Sequence, residues 1–451
     1  MYIKSSFGKQ TILKVIISAI SNLPLLVIGG EFSSDSKLSY QVAENIAEGK
    51  LSKSEIRFEN ALEYDFESGA KAHLETRLRW NISGQLEPGE PQLNALSPIN
   101  DSREIYDNYP IQFELRELYY RDSIGEEGTI TLGKQQVVWG QADGVAVLDI
   151  VNPMNYREFI LEESEDTRIP TWMINTVVPV GQFDLQVLWI PDQTYTVFPN
   201  EGEFAISSRR LIPQATEGRN IAVERRRPER PDRPIKDSDF GMALTTSVES
   251  WDFSLNYLYH YNDALFFDRK LTFVGETPVI VLRGRYERTH TIGASASTSI
   301  GNYVFRSELA HSTQRSVLNY DVSDDDGRLE TNETSYVIGL DYYGFEDAML
   351  SAQFYQSILG EASSEVPRDK VDSIATFLLR KDFMHQKNRL ESRWFTNIND
   401  GDGMLRIEYS SKFTENIKGT VGIDLFYGDP NGLFGQFKGN DRLHAKLDFY
   451  F

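Results

Sequence analysis

Residues 71–80 read Lys-Ala-His-Leu-Glu-Thr-Arg-Leu-Arg-Trp, so an extended chain puts Lys71, His73, Glu75, Arg77 and Arg79 on one side. Leu74, Thr76, Leu78 and Trp80 fall on the other. In residues 441–451, Leu443, Ala445, Leu447, Phe449 and Phe451 likewise oppose His444, Lys446 and Asp448, with Tyr450 the exception on the polar side. This period of two predicts strands at 54–66, 71–84, 111–121, 127–138, 171–179, 182–190, 239–248, 251–261, 281–298, 302–314, 334–342, 347–358, 371–381, 387–397, 402–411, 416–427 and 441–451.

The connections sort into two sets. Those at 67–70, 123–126, 180–181, 300–301 and 344–346 are short, while 85–110, 139–170, 191–238, 262–280, 316–333 and 359–370 are long, the one exception being the short Asn399-Asp400-Gly401 turn in the long set. Short turns at one end and long loops at the other describe an antiparallel transmembrane β-barrel, whose bacterial members have an even strand number. Parity asks for one strand beyond the seventeen above. Residues 34–42, with Leu38, Tyr40 and Val42 alternating, supply it. The predicted fold is all-β, with eighteen strands and sixteen as the alternative count.

The polar faces carry both signs of charge: Arg57, Glu59, Glu63 and Asp65; Glu114 and Arg116; Arg283, Arg285 and Glu287; Arg306 and Glu308; Arg389, Glu391 and Arg393; Arg406 and Glu408. In a lumen these either form an eyelet with a transverse field or pair across strands to fill the interior.

The alternation fails between Gly133 and Pro170. Val145, Val147, Leu148, Ile150 and Val151 form an apolar cluster, and Pro153 and Pro170 cannot sit in a central sheet. A loop of this length in a compact domain is expected to carry structure of its own. It is expected to enter the lumen as a loop or short helix, a surface loop or a subunit contact being the alternatives. Trp139 and Trp172 bracket it, and Arg77, Arg79, Trp139, Asp143, Asp149, Asn152 and Arg157 are the expected constriction residues. Glu158, Glu162, Glu163, Glu165 and Asp166 make its second half acidic.

The run Gly133-Lys134-Gln135, Val137, Trp139-Gly140, followed by Val151-Asn152-Pro153, resembles an uncharacterised family of proteobacterial outer-membrane barrels found beside RND/MMPL-type exporters. It is more distantly similar to alginate-export barrels. The resemblance implies a partly filled lumen, movement of lipophilic molecules across the outer membrane, and an RND/MMPL-type exporter as partner.

Composition narrows the address. Lys4, Lys9 and Lys14 precede an apolar run over 15–30, which reads as a signal peptide spanning 1–30, with a retained anchor as the alternative. Residues 31–451 then form the barrel domain. Hydrophobic residues are 40% of the chain, too few for a helical membrane protein, and aromatics are 12%, gathered at segment ends where an interfacial girdle needs them. The formal charge of −21 argues against nucleic acid as a partner. Outer-membrane lipid, lipopolysaccharide and the barrel-assembly machinery, for which a terminal Phe451 is a signal, are the expected partners in a Gram-negative outer membrane.

Chemistry is sparse. There is no cysteine, and none of the six histidines (His73, His260, His290, His311, His385, His444) sits in a nucleophile–base motif or at metal-ligand spacing. No catalytic residue, metal or cofactor is expected. The loop at 321–327 is off register for a calcium loop and reads as a solvated acidic loop. Residues 224–234, ERRRPERPDRP, suit either lipopolysaccharide phosphates or a solvated loop. The expected function is an outer-membrane channel or conduit for small or lipophilic molecules, restricted by 139–170. The alternatives are a closed barrel acting as surface receptor or adhesin, and an outer-membrane lipid hydrolase.

Overall fold

A computed structural model describes residues 30–83, 106–108, 110–198, 202–208, 210, 222–229, 231, 233–262, 265–275, 277–321, 324 and 326–451. The leader expected at 1–30 lies outside these apart from Gly30. So does most of the 85–110 loop.

Eighteen antiparallel strands form the wall. They are β1 (Gly30–Asn45), β2 (Lys50–Phe66), β3 (Lys71–Asn81), β4 (Ile111–Ile124), β5 (Gly128–Gln135) and β6 (Thr171–Val180). Then come β7 (Phe183–Ile190), β8 (Asp239–Val248), β9 (Trp251–Tyr261), β10 (Arg288–Ile300), β11 (Tyr303–Leu318) and β12 (Arg328–Phe345). The last are β13 (Ala348–Leu359), β14 (Val371–Phe383), β15 (Asn388–Asn397), β16 (Asp402–Lys412), β17 (Ile417–Tyr427) and β18 (Arg442–Tyr450). Each wall strand pairs with its sequence neighbour, and β1 closes the barrel on β18 from Lys37↔Tyr450 to Asn45↔Arg442. Closure leaves the wall without a sheet edge, the condition a sheet must meet in lipid. The strand demanded by parity at 34–42 is the centre of β1.

The alternation has the consequence expected of it. Leu38, Phe113, Leu132, Ile174, Leu255, Ile292, Leu309, Leu340, Phe377 and Val421 are exposed on the outside. Their strand neighbours Arg57, Arg77, Arg79, Arg116, Glu308 and Asp424 are buried inside. No helix among the described residues is long and apolar enough to cross a membrane.

The region predicted as one strand over 281–298 is two. Thr277–Arg285 leaves the wall and joins Phe266–Val274 and Ala222–Glu229 in a separate three-stranded sheet, and β10 begins at Arg288. Tyr286 and Glu287 carry the alternation across the corner, which hides it from a reading of periodicity. Arg283 and Arg285 therefore stand on that sheet and not on a wall strand. Part of the arginine-rich 224–234 run is a strand rather than a solvated loop, pairing Arg226 parallel to Arg283. Arg230 and Asp232 lie outside the described residues.

Candidate functional site: a segment docked across the lumen

Residues 136–170, connecting β5 to β6, turn into the barrel. Their limbs are tied together at one side chain. Asn152 Oδ1 accepts the Val137 N–H at 2.7 Å, and Asn152 Nδ2 donates to Ile169 O at 3.1 Å and Thr171 Oγ1 at 3.3 Å. A buried amide with these partners is close to fully satisfied. Met154 pairs with Arg168 and Asn155 with Val197, so the segment is also laced to itself and to the loop after β7.

The first half docks on one wall through apolar packing. Val137, Trp139, Val147, Leu148 and Val151 form a core with Met173, Leu188, Leu258, Ala310 and Val337 from the strands. Trp139 Nε1 donates to Gln186 Oε1 at 2.8 Å, which satisfies the one polar atom of a buried indole. The Glu308 carboxylate on β11 accepts the N–H groups of Gln141, Ala142, Val147 and Leu148 at 2.6, 2.7, 2.8 and 3.0 Å. Gly140, at φ +83°, makes this approach possible.

The acidic second half docks on the opposite wall through ion pairs. Arg57 contacts both Glu162 and Asp166, Arg77 contacts Asp166, and Arg79 Nη2 lies 3.4 Å from Glu162. Glu158 is held between Lys53 and Arg442, the latter at 2.9 Å. Arg116 donates to Arg168 O at 2.8 Å and Glu165 O at 2.9 Å, Arg406 donates to Leu161 O, and Arg393 Nη2 lies 3.2 Å from Glu163 Oε2. A second core of Phe159, Leu161, Phe204, Met404, Phe426, Phe434 and Phe437 closes this side. Phe159 takes a left-handed φ of 54° to reach it, a strained conformation that its ring contacts with Phe437 and Phe434 offset.

The electrostatics follow from this placement. Burial alone would raise the Glu162 carboxyl, but Arg79 and Arg57 hold it well below the usual carboxylate range. Glu158, against Lys53 and Arg442, and Asp166, against Arg57 and Arg77, are lowered in the same way despite burial. Asp149 is the opposite case. Burial raises it, and its 2.8 Å pair with Arg168 offsets only part of that.

Most expected constriction residues therefore meet at this segment. Arg77 and Arg79 bind its acids, Trp139 and Asn152 are buried within it, and Asp149 pairs with Arg168. Arg157 Nη1 donates to Gln112 Oε1 at 2.6 Å. Of the two tryptophans that bracket it in the chain, Trp139 is buried in the lumen and Trp172 is exposed on the outer face. Asp143 is largely exposed, its nearest cation Arg306 Nη1 3.7 Å away. The motif residues are the segment's root. Gly133 lies against the β4 backbone at φ +134°, where a Cβ would collide with Leu118 O. Lys134 Nζ donates to Leu115 O at 2.7 Å, and Gln135 Nε2 to Met173 O at 3.4 Å. Sequence reasoning missed Glu308 as the anchor and the 158–166 acids as partners of the wall arginines. It also missed that pairing brings His73, Glu75 and Glu117 together. In the 321–327 loop Asp326 pairs with Arg328 at 2.8 Å, and Val322, Ser323 and Asp325 lie outside the described residues.

The class of protein so defined is a closed eighteen-stranded β-barrel with an apolar exterior and a lumen crossed by one of its own connections. The chain belongs to the family described as Protein of unknown function (DUF1302), matched over residues 59–432, which takes in the 133–153 motif and most of the wall. No curated protein matches it in sequence. Among solved structures it is similar to OccK5 (OpdH) of Pseudomonas aeruginosa, at 10% identity, covering 94% of this chain and 97% of that one with a TM-score of 0.48. It is also similar to OccK8 (OprE) of the same organism, at 9% identity, 94% and 97% coverage and a TM-score of 0.49. A mutant Rh. blastica porin matches at 12% identity over 93% and 100%, with a TM-score of 0.41.

Proposed function

We propose that the protein is an outer-membrane conduit whose lumen is restricted by residues 136–170, and that solute passes when this segment yields. The observation that carries this reading is the asymmetry of the docking: an apolar and carboxylate anchor on β11, an ion-pair lattice on β2, β3 and β18. A segment held on one side by charge pairs has a side that can be released by protonating its carboxylates without dismantling the other. Small or lipophilic solutes belong to this proposal on the strength of the sequence resemblance. Delivery from an RND/MMPL-type exporter, which the sequence resemblance implies, belongs to the same proposal.

The test is single-channel conductance in planar bilayers for the parent and for a variant lacking residues 143–165. Much larger conductance in the variant supports a restricted conduit. A specific feature favours a second reading: the separate three-stranded sheet exposes Leu271, Phe273 and Val274, a surface suited to a receptor. If both proteins insert as heat-modifiable barrels and neither conducts, the receptor reading replaces the conduit.

A further inference from the structure

A cavity of about 610 Å³ lies within the barrel beside β1 to β4 and the docked segment, lined by Lys37, Glu59, Arg77 and Arg116 among others. On its wall His73, Glu75 and Glu117 bring a ring nitrogen and two carboxylate oxygens within 4.8 Å of one another. Strand geometry produces the cluster. His73 and Glu75 are two apart on β3 and share the lumen face, and Glu75 stands directly opposite Glu117 on β4.

Like charges in direct cross-strand opposition repel. Compensation for this pair is thin. Arg116 Nε is 3.7 Å from Glu75 Oε1 and His73 Nε2 is 3.6 Å from Glu117 Oε2, while His73 Nδ1 faces Glu63 Oε2 at 3.9 Å on its other side. Glu117 Oε1 is engaged elsewhere, accepting the Gln136 N–H at 3.1 Å. Its Oε2, the Glu75 carboxylate and the imidazole are left facing one another at the cavity.

We propose that His73, Glu75 and Glu117 bind a divalent first-row transition cation from the lumen. One imidazole and two carboxylates suit Zn²⁺ or Mn²⁺, and two negative charges match one dication. Bonds of about 2.1 Å to a shared ion place donors roughly 3 to 3.5 Å apart, which the 3.6 Å separation of His73 and Glu117 nearly meets. The remaining coordination positions open on the cavity. The site touches both limbs of the docked segment, through Glu117 to Gln136 and through Arg116, beside Glu75, to Arg168 and Glu165. A cation here tightens the segment's root.

The experiment titrates the full, chelator-stripped protein in detergent with ZnCl₂ by calorimetry. One saturable site per chain is expected, weakened at least tenfold in E75Q/E117Q and in H73A. The glutamine pair removes the like-charge repulsion and retains the fold, which heat-modifiable migration checks. Co²⁺ gives a second readout: its absorption spectrum in the parent should be that of a nitrogen- and oxygen-ligated ion and should change in H73A. Absence of saturable zinc binding in the parent, or unchanged affinity in folded E75Q/E117Q, overturns the proposal. Binding is read without conductance, so this result and the conduit reading stand or fall separately.

Discussion

Gly140 of the docked segment lies so close to Glu308 of the barrel wall that a Cβ at Gly140 would collide with the Glu308 carboxylate. The contact allows one side chain to gather four backbone N–H groups from a connection that has no sheet to pair with. Hydrogen bonds to a charged group are worth about 1.5 to 3 kcal/mol each, and buried donors left without an acceptor cost comparably. Glu308→Ala is therefore expected to weaken docking of residues 141–148 by more than about 3 kcal/mol, over a hundredfold in population. Limited proteolysis should cut this stretch in the variant and spare it in the parent. Equal resistance in both would remove Glu308 as the anchor.

The ion-pair side should respond differently. Truncating one member of a buried pair costs about 3 to 5 kcal/mol because the partner is left charged and unpaired. Glu162→Gln leaves Arg79 in that position and removes one of Arg57's partners, Asp166 and Glu55 remaining, so it should raise conductance. Adding Arg79→Ala to it should recover part of the loss. A double-mutant cycle with no coupling between the two positions would contradict the pairing.

How far this arrangement was legible from the sequence depends on its range. Arg77 and Arg79 could be assigned to the lumen because a period of two fixes the face of every residue on a strand. Residues 133–170 stood out because they lack that period. Partner choice is another matter: Arg57 meets Glu162 and Arg442 meets Glu158 only after the barrel closes, and no local pattern encodes either meeting. Glu308 reads as one more charge in an alternating strand. The three-stranded sheet was missed at Thr277–Arg285 for another reason: its unbroken apolar run Val279-Ile280-Val281-Leu282 leads straight into the alternating residues of β10, and no local signal marks the corner between them.

Asn152 joins the two limbs of the segment, and its loss should be felt at the root rather than at either wall. Asn152→Ala leaves the Val137 N–H and the Ile169 carbonyl without their partner. A cost of about 1 to 3 kcal/mol is expected for each such group. Amide exchange should accelerate at Val137 while exchange in β11 and β12 stays at the parent's rate. Unchanged exchange at Val137 would contradict the assignment.

Acid should release the segment, but only at low pH. Glu158, Glu162 and Asp166 have carboxyls lowered in the docked state by Lys53, Arg442, Arg79, Arg57 and Arg77 against the effect of burial. A lowered carboxyl stabilises docking above its undocked value and loses that contribution as pH falls through the docked one. Undocked carboxyls titrate at about pH 4, so docking should be constant from pH 7 to about 5 and fail progressively below about 4. Asp149 works the other way, since burial raises it and protonation favours its docked form, but it is one group against three. Conductance recorded across this range should stay flat and then climb at the acid end. In Glu158→Gln/Glu162→Gln most of the climb should disappear, because the groups that titrate are gone and the segment is already loose. A climb that begins at about pH 6 would instead trace to histidine and would remove the ion-pair lattice as the acid-sensitive element.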